Sequence, residues 1–260
     1  MALDGVFLHK LKNEMAFIIG AHLDKIYQPS KDELVFLLRC KEGTYRMLLS
    51  ARSGAARVHF TSSKLENPAS PPMFCMLLRK YLGSARVIHI QQNGFERIIT
   101  FVFSSTNEMG DIISLNLVCE LIGNQSNIIL TDENGIIIDA LHRSNLEGIG
   151  RIIQPGAKYI FPSSTGKINI LNEKTSAITE KILSLNELPL WKAFLDTIEG
   201  ISPLVARELA FCICDSEKIV KELSSAEKMN ITGALNALLR DITDNNTPVL
   251  LLDSKGLPKD

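Results

Sequence analysis

The chain has 260 residues, 45% of them hydrophobic, and a formal net charge of −1, which suits one large or two small buried cores and excludes a disordered chain. No apolar run approaches the roughly 18 residues of a membrane-spanning helix, and Asp4 and Glu14 interrupt the stretch where a signal peptide carries positive charge and then unbroken apolar residues. Five cysteines without a paired framework point to a reducing compartment, the cytoplasm, and neither they nor the five scattered histidines show metal-ligand spacing.

Leu8, Leu11, Met15, Ile18, Ile19, Leu23 and Ile26 recur at helical spacing and predict an amphipathic helix over about residues 7–24. ELVFLLRC, the turn Lys41-Glu42-Gly43 and TYRMLLSAR predict a β-hairpin, followed by a short strand from Arg57 to Phe60. Ser70, with Pro71 and Pro72 after it, marks a helix start. The helix MFCMLLRKYL puts Phe74, Leu77, Leu78 and Tyr81 on one face and ends near Gly83. Arg79 and Lys80 fall in its last turn, where they complement the helix dipole or reach a phosphate.

From Ala85 onward strands alternate with short turns: ARVIHIQQ, Asn93-Gly94, FERIITFVF, DIISLNLVCELI, the loop Gly123-Asn124-Gln125-Ser126, NIILTD, Glu133-Asn134-Gly135 and IIIDAL. Short turns force antiparallel neighbours, so about eight strands in a sheet or sandwich are expected. Within this run strand alternation puts Arg97 on one face with Phe95, Ile99 and Phe101, and Glu96 on the other with Ile98, Thr100 and Val102. At least one of these charges is then expected against apolar surface.

The stretch QPGAKYIFPSSTGK closes the strand-rich region, and the pattern beyond it turns helical. LWKAFLDTIEG and SPLVARELAFCIC read as two helices joined by Gly200-Ile201-Ser202-Pro203, with a third over about 224–239. The join reads as a plain helical hairpin or resembles a helix-hairpin-helix element, in which backbone N–H groups at Gly200, Ile201 and Ser202 can receive a phosphate. PVLLLDSKGLPKD reads as a strand and turn that run off the end, as in a fragment.

Charge is uneven along the chain. Residues 39–97 carry Arg39, Lys41, Arg46, Arg52, Arg57, Lys64, Arg79, Lys80, Arg86 and Arg97 against three glutamates, whereas 101–150 is acidic apart from Arg143. A basic patch on a nearly neutral protein is expected. Walker, dinucleotide, G-x-S-x-G and H-E-x-x-H patterns are all missing, so no enzyme class, metal or cofactor is indicated.

MALDGVFLHKLKNEM, PPMFCMLLRKYLGSARVIHIQQNGFERIITF, CELIGNQSNIILTDENGIIIDALHRS, PGAKYIFP and EGISPLVAREL, in this order, resemble the N-terminal half of the NFACT family. The resemblance implies an α+β fold. A mostly antiparallel NFACT-N domain with flanking helices, related in shape to the N-terminal domain of Fpg/Nei glycosylases, is expected over 1–170. A helix-hairpin-helix domain is expected over 171–245, and 246–260 would open the next segment, before a coiled coil and an NFACT-R domain.

Family members of the RqcH type bind a 50S subunit blocked by peptidyl-tRNA, recruit alanyl-tRNA and support template-free alanine tailing of the stalled chain. An acidic residue near the N-terminus and an adjacent Asp-Arg pair are the family's functional residues. They fall here on Asp4 and on Glu96-Arg97, with Glu in place of Asp. The resemblance therefore makes Arg97 an RNA contact oriented by Asp4 and Glu96, with Arg39, Arg46, Arg79, Lys80 and Arg86 as candidate phosphate contacts for tRNA. Two other readings compete. A DNA glycosylase lacks its N-terminal Pro-Glu here, since the chain begins Met1-Ala2-Leu3. A surface adhesin for fibronectin or fibrinogen, the name some relatives carry, finds no export or anchoring signal, which leaves an extracellular-matrix protein as a secondary partner only.

Overall fold

The first apolar repeat folds in two unlike halves. In the computed structural model, which describes residues 3–146, 151–162, 166–244 and 252–257, helix α1 runs only over Gly5–Glu14. A 3-10 turn, Met15–Ile18, follows. Gly20 then takes φ +90°, and strand β1 spans His22–Ser30. The helix expected over 7–24 therefore stops at Glu14. Leu23 and Ile26 keep a helix-like spacing of three because a β-bulge between Leu23 and Lys25 inserts one residue and leaves both side chains facing the same core.

Strands β2 (Glu33–Cys40), β3 (Gly43–Ser50), β4 (Arg57–Phe60), β5 (Arg86–Gln92), β6 (Ile98–Thr106), β7 (Ile112–Glu120), β8 (Asn127–Asp132) and β9 (Ile137–Ala140) join β1 in one sheet. Its nine strands run in the order β4-β3-β2-β1-β5-β6-β7-β8-β9, all antiparallel. It is one curled sheet rather than a sandwich. At its seam His22 of β1 faces Arg86 of β5, and backbone bonds join Gly20 and Ala21 to Val87 and Leu23 to Ser84 and Ala85. Its two halves also approach across the far side, where His142 Nε2 lies 3.3 Å from the Asp32 carboxylate and Ser53 donates to Asn124.

The concave face carries the main core, with Phe36, Phe101, Phe103 and Leu117 from the strands, Leu8 from α1, and Phe74 and Leu78 from helix α2 (Met73–Leu82). Each such side chain contributes about 1.5–3 kcal/mol when fully buried. Helix α2 begins after Pro72 without a side-chain cap, so Ser70 does not cap it as expected. The opposite face of β6, β7 and β8 is covered by the chain after β9. There Ile98, Val118 and Ile129 pack with Ile153 of β11 (Arg151–Ile153), which pairs with β10 (Ser144–Leu146). Glu120, 1% exposed, holds this cover in place: it is bonded by Arg151 and accepts from Tyr159 Oη at 2.7 Å.

Helices α3 (Thr175–Ser184), α4 (Leu190–Thr197), α5 (Pro203–Phe211) and α6 (Ser225–Thr243) build a separate apolar cluster around Ile182, Phe194 and Leu235. Local chemistry sets their starts. Ser202 caps α5 ahead of Pro203 at its first position, and Ser224 with Glu227 forms a capping box on α6. One residue from the sheet side, Phe95, is buried in this helical cluster. At the C-terminus a turn remains, in which Asp253 accepts from the N–H groups of Lys255 and Leu257, and most of the expected last strand lies outside the described residues. No described helix is long and apolar enough to cross a membrane.

Candidate nucleic-acid interface

Residues 93–97 link β5 to β6. The tight turn expected at Asn93-Gly94 forms, with Gly94 at φ +53° and Glu96 N–H donating to Asn93 O at 3.0 Å. Strand β6 starts only at Ile98, so Glu96 and Arg97 precede it and the strand alternation does not reach them. The turn instead sends Phe95 away from the sheet's own core into the helices, and leaves Glu96 and Arg97 half-buried.

Three segments close on this turn. Asp4 caps α1, its Oδ1 accepting from Phe7 N–H at 2.8 Å, while its Oδ2 accepts from Ser202 N–H at 3.2 Å. Val6 N–H donates to Gly200 O at 3.1 Å. Gln92 Nε2 donates to the carbonyls of Gly5 and Glu96, both at 2.9 Å, and Glu199 Oε1 accepts from Phe95 N–H at 3.0 Å. The approach is close enough to require glycine twice. A Cβ on Gly5 would lie 1.6 Å from Phe95 O, and one on Gly200, at φ +78°, would lie 2.3 Å from Phe95 Cβ.

The N-terminus, the turn and the helical hairpin thus form one clasp. Contrary to expectation, no bond joins Asp4 to Arg97 among the described residues; its two oxygens accept helix-start N–H groups instead. The hairpin is likewise not open to a phosphate at Ser202, because an internal carboxylate already sits on that donor, and Ser202 Oγ serves Val205 N–H. Among the described residues the Arg97 guanidinium has no hydrogen bond or ion pair, although its backbone carbonyl accepts from Leu121 N–H at 2.8 Å. Glu96 does feel Arg97. Burial, then the Glu199 carboxylate, push the Glu96 carboxyl above its ordinary value, and Arg97 opposes both. Beside this pair opens a cleft of about 280 Å³, lined in part by Asn93, Asn169 and Asn172 with Glu96 and Glu199. Its carboxylates disfavour phosphate in the cleft itself.

The other predicted cations divide between two places. Arg39, Arg46 and Arg86 come together on the convex face of β1 to β5, where the cross-strand rows Arg86–His22–Arg39–Thr44 and Lys25–Leu37–Arg46 run side by side. Lys25 and Arg57 belong to this face too. Arg57 already belongs to the basic stretch 39–97, whereas Lys25, just past the helix expected over 7–24, joins it only through the cross-strand register, which cannot be read from spacing. Arg79 and Lys80 lie on α2 and are already engaged. Arg79 donates twice to Ile26 O, at 2.9 and 2.8 Å, satisfying a carbonyl of β1 past its seam with β5, and Lys80 pairs with Glu108 at 2.8 Å.

The sequence pattern described as NFACT N-terminal and middle domains matches residues 4–260. The chain belongs to the NFACT family. The Rqc2 homolog RqcH of Bacillus subtilis is 37% identical to this NFACT chain over 248 residues, which cover 94% of the chain and 42% of that protein. The human ribosome quality control complex subunit NEMF is 30% identical over 126 residues, covering 48% of the chain and 11% of that protein. The NFACT chain thus matches less than half the length of these relatives. Among solved structures, the N-terminal part of the fibronectin/fibrinogen-binding protein from Streptococcus suis is similar, with TM-score 0.82 and 33% identity over 96% of this chain and 88% of that one.

Proposed function

We propose that this NFACT chain is the tRNA- and large-subunit-binding part of a cytoplasmic ribosome quality-control factor that recruits alanyl-tRNA for alanine tailing of stalled chains. The observation that carries this reading is the 37% identity to a Rqc2 homolog over 94% of the chain. The factor acts as a binding scaffold, not as an enzyme. Residues 1–170 form its NFACT-N domain, 171–245 its helix-hairpin-helix domain, and 246–260 open the segment that follows; the separate apolar cluster of the helices supports this division.

Arg97 is the tRNA contact of the turn. A planar guanidinium with no hydrogen bond or ion pair among the described residues presents a donor fork that suits a phosphate or a guanine edge. Asp4 and Glu96 serve it indirectly, Asp4 by fixing the clasp and Glu96 as its neighbour in the turn. The test is binding of labelled alanine tRNA to the chain and to its Arg97→Ala variant, by fluorescence anisotropy at two salt concentrations, with a melting curve for each protein. Salt-sensitive binding that is lost in an equally stable variant is expected. If the unmodified chain binds no tRNA, tRNA recognition does not reside in this part of the factor.

A second reading rests on the solved relative from Streptococcus suis, whose description as fibronectin/fibrinogen-binding favours a matrix-protein partner. Capture of the chain on immobilised fibronectin or fibrinogen, at concentrations where tRNA binding is absent, would prefer that reading.

A further inference from the structure

We propose that the convex face of β1 to β5 is a second RNA surface, separate from the Arg97 turn, that holds the sugar-phosphate backbone without reading sequence. The inference rests on the RNA-binding reading above and adds to it a place and a mode of recognition.

The register assembles the face. Directly opposed residues on antiparallel strands point to the same side, so Arg86, Arg39, Lys25, Arg46 and Arg57 share one surface. Against these five cations stand Asp24, paired to Arg39 at 3.3 Å, and Glu33, only 9% exposed. The surplus is positive on a chain whose net charge is −1. The arginines are also held in place. Arg86 Nη1 donates to Gly20 O at 3.2 Å, and Arg46 Nη1 to Ser62 O and Ser63 O at 3.3 Å. Each of these two forks keeps its other nitrogens without a bond among the described residues, and a prepositioned side chain loses less entropy on binding.

Phosphate is the group this face fits, because it offers cations and no base platform. Its rings, Tyr27, His22 and His59, are all half-buried, and Tyr27 lies beneath the Arg79 guanidinium, so no fully exposed ring among the described residues offers bases a platform. The face is also remote from the turn. Arg86 opens β5 and Gln92 closes it just before the turn, a strand run of roughly 20 Å. One RNA touching both sites must span that length.

The experiment measures binding of the 260-residue chain to two fluorescein-labelled RNA duplexes of equal length and different sequence, across a salt series. Three paired variants are compared: Arg39→Gln with Arg46→Gln, Lys25→Gln with Arg86→Gln, and, as an equal loss of charge elsewhere, Lys174→Gln with Lys181→Gln on α3 and its entrance. Melting curves accompany each, so that misfolding of one face pair leaves the other to decide. The log–log salt slope of each face pair is expected to fall by roughly 1.8, about 0.9 for every phosphate that is no longer neutralised. The control pair keeps the wild-type slope, and both duplexes bind alike. Slopes unchanged in both face pairs, or lowered as much by the control pair, overturn the proposal while leaving tRNA binding by Arg97 intact. A more than tenfold preference between duplexes overturns its sequence-independent mode. Binding of neither duplex by the wild-type chain overturns it too, and failure of that chain on tRNA as well removes the reading beneath it.

Discussion

Asp4 and Ser202 are 198 positions apart in sequence, yet the Asp4 carboxylate accepts the Ser202 backbone N–H at 3.2 Å while its other oxygen caps the first helix. One side chain therefore neutralises donors at two helix starts, where the helix dipole favours negative charge, and ties the sheet's first element to the helical hairpin.

Asp4→Ala should remove both bonds and destabilise the fold by about 1–3 kcal/mol, the range for a missing cap together with a hydrogen bond to a charged group. Asp4→Asn should recover part of the loss, because its amide oxygen can still cap α1 while its NH₂ cannot accept from Ser202. Urea unfolding of the three proteins measures this, and equal midpoints would show that the clasp does not contribute.

Three glycines should respond in opposite directions to alanine. Gly5→Ala and Gly200→Ala drive a methyl group into Phe95 and should cost about 2–4 kcal/mol through steric displacement, with added backbone strain at Gly200. Gly233 lies inside α6 with open space around its Cβ position, so Gly233→Ala should stabilise by about 0.5–1 kcal/mol. Thermal melts order the three, and a neutral Gly200→Ala would contradict the close packing at the hairpin.

Arg151→Ala should be among the most damaging single changes. It strands the Glu120 carboxylate, 1% exposed, without its cation, and breaking a buried pair from one side costs about 3–5 kcal/mol. Arg151→Ala combined with Glu120→Gln should recover much of that loss. A double-mutant cycle in denaturant reads the coupling directly.

Glu227 supplies an acid-sensitive element of the helical cluster. Lys218 and the N–H and hydroxyl groups of Ser224 bring its carboxyl down to about 2. A carboxylate lowered in the folded state contributes stability above its unfolded value, and that contribution disappears as pH falls from about 4.5 towards 2. Glu227→Gln should remove this part of the acid dependence and leave the rest of the stability–pH curve parallel to wild type.

Glu96 has the opposite sign. Burial and Glu199 raise its carboxyl, so its contribution favours the fold at low pH and is lost as pH rises through the raised value. Glu199→Gln should bring Glu96 part of the way back towards an ordinary carboxyl, leaving the shift that burial causes. A carboxyl-selective NMR titration of Glu96 in both proteins measures it, and an identical midpoint would separate the two side chains electrostatically.

Much of the architecture was legible in local signals. Turn residues at Lys41-Glu42-Gly43, Asn93-Gly94 and Glu133-Asn134-Gly135 announced antiparallel strands, and Ser202-Pro203 and Ser224 with Glu227 announced helix starts. These signals act over three or four residues, which is why they survive in sequence. The missed β1 shows their limit. A single bulge gave a strand the apolar spacing of a helix, and with β1 hidden, Lys25 and the basic rows of the sheet could not be assembled.

By itself the sequence determined that this chain folds as strands followed by helices, and its ordered motifs pointed to the NFACT family, because periodicity, turn chemistry and motif order are local properties of the chain. Only the tertiary structure decided what the charges do. Asp4 went to Ser202 rather than Arg97, Arg79 to the Ile26 carbonyl, and Arg39, Arg46 and Arg86 to one face. Each of these outcomes depends on register and on which helix start packs beside which turn, and those are set by burial of the two apolar clusters and by Phe95 crossing between them.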